Sequence, residues 1–175
     1  MTNEHEGGLM RVYVPATVEI LQKLVADQEF DPMSRTAFAV TPTLRESYAA
    51  GDDDELAEVA MGEAARASLR LIAGTEGDVT FRRAVVAADV DDADVKLRPD
   101  LDDSVVRLAG PLTMAQVASV HVDLQQAESD IERAAGIVDA ADLGDADAEF
   151  TLGDAEDHEL AWYAAQELPF LLDLL

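Results

Sequence analysis

Three short apolar stretches of this 175-residue chain carry polar side chains at alternate positions. In 11–14, Arg11 and Tyr13 alternate with Val12 and Val14. In 105–109, Arg107 lies opposite Val106 and Leu108, and in 120–123, His121 and Asp123 lie opposite Val120 and Val122. Successive side chains of a strand point to opposite faces of its sheet. Helices on the apolar face would therefore leave Arg11, Tyr13, Arg107, His121 and Asp123 on the other, where two guanidiniums and an imidazole could hold a phosphate or carboxylate. The same alternation also describes the wet face of an antiparallel sheet, with its charges paired across strands.

A second group lies near the C-terminal end. Glu156-Asp157-His158-Glu159 is followed by Trp162, Tyr163, Gln166 and Glu167. On a helix, His158, Trp162 and Gln166 fall one turn apart, as do Glu159, Tyr163 and Glu167. Histidine among carboxylates suits acid–base work, and the single tryptophan is an anchor type enriched in interfaces. His158, Glu159, Trp162, Tyr163 and Glu167 are thus a candidate partner-binding face. The alternative is an acidic helix start whose aromatic residues pack into the core.

The well-marked catalytic and phosphate-binding motifs are absent. The chain has no G-x-G-x-x-G, no G-x-x-x-x-G-K-[ST], no H-E-x-x-H and no G-x-S-x-G. The Asp-rich runs at 52–55 and 89–94 lack the central Gly and closing Glu of a calcium loop. No metal site and no cofactor is expected. With no cysteine, disulfides, thiolate metal sites and thiol nucleophiles are excluded together.

The positioning elements follow from periodicity and capping. A strand over 11–14 is followed by a helix capped by Thr17, with Val18, Leu21, Leu24 and Val25 on one stripe. A second strand covers 36–40. Thr41-Pro42 opens a short helix to Ala50 that Gly51 closes, and Asp52–Glu55 opens a long helix to about Ala73. Strands over 81–89, 105–109 and 120–123 come next, the last two separated by a short helix, and 124–138 reads as a helix. The final helix spans about 156–168, ended by Pro169 before an apolar tail.

This order predicts an α+β fold. Its sheet is mixed or antiparallel, of about five strands, with helices mainly on one face and a split βαβ arrangement as one option. The expected organisation is a flexible extension over 1–9, a core domain over 10–138, an acidic linker over 139–157, and a C-terminal helix and tail over 158–175 packed on the core or on a partner.

Thirty-seven acids against twelve bases give a formal charge of -25, and no basic residue follows Arg133. Such a field opposes direct binding to nucleic acid or anionic lipid. No apolar run is long enough for a membrane span, and the N-terminus lacks a secretory pattern, so a cytoplasmic location is expected. Salt adaptation, a GC-rich genome and simple solubility account for such acidity as readily as function does.

Several stretches together resemble a family of small, acidic actinobacterial proteins of unknown function. They are Met10–Thr17, Ala39–Glu46, Ala64–Arg70, Ala87–Val90, Val106–Pro111, Ser119–Asp123, Glu156–Leu160, Trp162-Tyr163 and Gln166–Leu168. The resemblance spans most of 10–172. It implies a high-GC Gram-positive source, favours genome composition as the origin of the acidity, and brings no activity or functional residues.

Two functions compete. One is a non-catalytic binding or regulatory protein that meets a protein partner, or a second copy, through its acidic surface and C-terminal helix. The other is a small-ligand binder or enzyme working on the sheet face around Arg107 and His121. A DNA mimic is a third and more distant reading.

Overall fold

Thr17 sets the first turn as its position predicts, its hydroxyl accepting from Ile20 N–H at 3.2 Å. In this computed structural model, which describes residues 8–48 and 50–175, strand β1 (Leu9–Ala16) leads through that cap into α1 (Val18–Asp27). There follow β2 (Glu29–Phe30), β3 (Thr36–Phe38), α2 (Pro42–Ser47) and α3 (Asp53–Gly74). Next come β4 (Ala84–Asp91), β5 (Val95–Leu97), β6 (Val105–Leu108), β7 (Leu112–Thr113) and β8 (Val117–Val122). The chain then runs through α4 (Glu128–Ala135), α5 (Val138–Asp142), α6 (Ala146–Glu156), β9 (Ala161–Ala164) and α7 (Leu168–Asp173).

Seven strands form one sheet in the order β5-β6-β3-β1-β4-β8-β9, every neighbouring pair antiparallel. The α+β class is as expected, and β3 and β4 make a split βαβ unit: both run antiparallel to β1 between them and are joined through α2 and α3. The sheet exceeds the expected five strands because β5 and β9 are too short or too helix-like in composition to be read alone. Helices cover both faces rather than mainly one. Val12, Val14, Val86 and Val120 pack with Leu21 and Leu24 of α1 and Leu168 of α7 on one side. Tyr13, Phe38, Val85 and Ala87 pack with Ala60 and Ala64 of α3 on the other. Ser68 docks α3 by donating to Ala16 C=O at 2.6 Å and accepting from Ala84 N–H at 3.0 Å. Those are the last paired residues of β1 and β4, so one hydroxyl closes two backbone groups that the ladder leaves free.

Two segments differ from the sequence reading. The stretch expected as an acidic linker, 139–157, lies largely in α5 and α6, and Leu152, Ala148 and Ala155 are buried against Ile131, Leu69 and Ile72 in a core of their own. Asp145 caps α6 by accepting from Ala148 N–H at 2.9 Å. The final helix is also absent: 161–164 is β9, paired to β8, and Pro169 lies in the first turn of α7 instead of ending a helix. Of the expected extension over 1–9, residues 1–7 lie outside the described residues, while Leu9 opens β1. The helix expected to run to Ala50 stops at Ser47, with Tyr48 extended.

Before β3, Ser34 and Arg35 both adopt left-handed backbone, at φ 55° and 57°. An L residue there crowds its Cβ against the following carbonyl, at a cost of about 1–2 kcal/mol. Among the described residues the Ser34 side chain makes no hydrogen bond, whereas Arg35 holds Asp31 and the Ala109 carbonyl. Ser34→Gly should therefore raise unfolding stability by about 1 kcal/mol, read as a higher denaturant midpoint at unchanged slope.

Candidate functional site

Helix α3 lies over β1, β3 and β4 and leaves the same face of β8 and β9 uncovered. Helix α6 packs beside α3 through the second core, and the chain from α6 to β9 turns at 157–160. Between α3, α6, this turn and the β8–β9 floor lies a cleft of about 690 Å³. A smaller hollow of about 240 Å³ continues it along the sheet, and His121, Glu58 and Met61 line both.

The alternation that faces His121 towards α3 survives a bulge in β8. Ala87 pairs with Ser119 but Ala88 pairs with Val117, so Ala118 is the extra residue. Ser119 and His121 thus share the cleft face, with Ser119 Oγ 3.0 Å from His121 Nε2. Burial, with help from the charge of Arg11, pushes the His121 imidazole below its ordinary pKa, so it is neutral at pH 7.

The two residue groups expected from sequence meet here in part. Arg11, Tyr13, His121 and Trp162 line the smaller hollow, and His121, His158 and Glu159 line the larger cleft. Arg11 is held by Asp89 through bonds of 2.7 and 3.1 Å. His158 Nε2 is 2.8 Å from Asp130 Oδ2. Trp162 pairs across from His121 and is 61% exposed.

Four of the expected residues are placed otherwise. Arg107 shares the sheet face and cross-strand row of His121, but β4, β1 and β3 lie between them, about 19 Å at ~4.8 Å per strand. Asp123 is fully buried in an ion pair: both its oxygens take the Arg83 guanidinium at 2.8 Å, and one also takes Arg83 N–H at 2.8 Å. Tyr163 points to the opposite face and packs on the main core. Glu167 accepts from Ala164 N–H at 2.8 Å, a turn cap. The one-turn spacing expected of His158, Trp162 and Gln166 disappears because 161–164 is a strand.

Sequence reasoning did not single out Arg66, Arg83 and Glu63. Arg66 reaches into the cleft wall but is already bound by Asp142 at 3.0 Å and Glu149 at 2.8 Å. Arg83, beside Asp123, also donates to the His158 carbonyl at 2.9 Å and so fixes the turn that forms the rim. Glu63, Glu58 and Glu159 line the cleft, over apolar side chains that include Met61, Leu69, Leu152 and Leu160, and among the described residues no cation is bound to them. Burial, reinforced by the charge of Asp102, raises the Glu63 carboxyl above its ordinary pKa. No spacing rule connects α3 to residues 83 or 158, so only the fold could bring these together.

A family model described as a family of unknown function, DUF6912, matches residues 10–172. The chain belongs to that family. The DUF6912 match covers β1 through most of α7, hence every residue lining the cleft. No curated protein and no solved structure matches the chain. Among the described residues of this DUF6912 member, no group of three or more His, Asp or Glu could hold a metal ion, and no helix is long and apolar enough to cross a membrane.

Proposed function

We propose that this protein is a non-catalytic binding protein whose cleft, between α3, α6 and the β8–β9 floor, receives a cationic group on an apolar stem, such as an arginine or lysine side chain of a protein partner. The observation that carries this reading is the imbalance of satisfied charges in the cleft. Its guanidiniums are bound by the protein's own carboxylates, while Glu58, Glu63 and Glu159 hold none among the described residues. Glu63 is already partly desolvated, so an arriving cation would gain from a carboxylate that water stabilises poorly. Trp162, in the hollow that continues the cleft along the sheet, offers an aromatic face on which a guanidinium can stack.

Because the folded protein holds Glu63 above its ordinary pKa, it binds more protons than the unfolded chain just above pH 4.5. Stability from this group therefore falls as pH rises through that window. Glu63→Gln should raise stability at pH 7, by less than about 1 kcal/mol because the carboxylate is only half-buried, and should weaken binding of an arginine-containing peptide about tenfold. Wild-type affinity should increase as Glu63 deprotonates. Denaturant unfolding reads the first, and Trp162 fluorescence titrated with basic and neutral peptides of equal length at several pH values reads the other two. Equal response to both peptides, or unchanged binding by E63Q, sinks the reading.

The hydroxyl–imidazole pair of Ser119 and His121 favours an enzyme as second reading, since a neutral imidazole can take a serine proton. A serine nucleophile also needs its base oriented by a third group. Among the described residues no carboxylate bonds to His121, so binding remains the better account.

A further inference from the structure

The β5 edge of the sheet, farthest from the cleft, carries an unusual pairing of charge. Among the described residues, every Lys and Arg holds a carboxylate in an ion pair except Lys96 and Arg107. These two are direct cross-strand partners of β5 and β6, so their side chains leave the same face side by side. Like charges directly opposite one another destabilise a sheet, and a chain with thirty-seven acids had many ways to avoid it. Moreover, Arg107 Nε is buried and has no acceptor. A buried donor left unpaired forfeits its bond to water without replacement. The nearby carboxylate, Asp100, does not fill the gap: Arg98 binds both its oxygens, at 2.9 and 2.8 Å, and holds its pKa to about 2.

A lysine on an edge strand has an ordinary use in blocking strand addition. That explains Lys96 but not Arg107, which lies one strand inside. We propose that Lys96 and Arg107 form an anion site that takes a phosphate group. The planar guanidinium supplies a fork of N–H donors, the ammonium a second charge, and two adjacent cations match a dianion better than a monovalent carboxylate. The chain's negative field does not forbid this, since at physiological ionic strength it is screened beyond about 8 Å.

The test uses the full chain and inorganic phosphate, following the Arg107 Nε–Hε resonance by NMR at constant ionic strength. Phosphate should move that resonance saturably, acetate at least tenfold more weakly, and chloride not at all. Lys96→Gln removes an exposed side chain without disturbing the core, and should weaken the phosphate response about tenfold or more. The site is refuted if phosphate leaves the resonance unmoved or if K96Q responds like the wild type. Equal responses to acetate and phosphate overturn the assignment of a dianion.

Discussion

Arg83→Met is expected to cost roughly 3–5 kcal/mol of folding stability, because it breaks a buried ion pair. The side chain is 4% exposed and Asp123 is 1% exposed, so the substitution strands a carboxylate in a site that water cannot reach. Asp123→Leu strands the guanidinium and should cost about as much. The double variant leaves no charge behind and should cost little more than either single change, a coupling of about 2–3 kcal/mol. The double variant still costs stability because Arg83 N–H loses its acceptor and the His158 carbonyl its donor. Denaturant unfolding of the four proteins checks this. Additive costs would mean that the two side chains do not act as one unit. Trp162 emission should also shift in the R83M protein, since the turn before β9 loses its anchor.

Leu152→Ala on α6 should cost about 2–5 kcal/mol, the range for an apolar side chain removed from a closed core. Leu152 is 0% exposed among Ile131, Leu69 and Ala155. Phe150→Ala, two residues away but 80% exposed, should change stability by no more than about 0.5 kcal/mol. Were 139–157 a solvated linker, both would be silent. The pair also bears on the cleft, because Leu152 forms part of its wall and L152A should weaken peptide binding where F150A does not.

Local chemistry was the legible part of the sequence. Thr17, Thr41 with Pro42, and Asp52 with Glu55 open their helices as their positions predict, because a capping bond spans only three residues. Strand alternation correctly faced His121 away from Val120 and Val122. Misreadings arose where long-range pairing overrode composition. Residues 161–164 lie in an Ala- and Glu-rich stretch with helical spacing, yet bond to β8 forty residues or so earlier. The 139–157 stretch hid its Ala148, Leu152 and Ala155 stripe beneath Asp and Gly, although the Asp145 cap was available as a signal. Alternation gives a face but not a strand order, so it groups Arg107 with His121 although they lie four strands apart.

The position of β1 bears on how the chain is made. It leaves the ribosome before either of its neighbours, β3 and β4, the second of them some seventy residues later. Until then Val12, Val14 and Ala16 belong to an apolar strand with an open edge, the kind of segment that captures other chains. A nascent chain that already carries more acids than bases repels its copies during that wait. Neutralising exposed acids such as Glu58 and Asp78, which hold no ion pair among the described residues, should thus lower the yield of folded protein before it lowers the stability of what does fold.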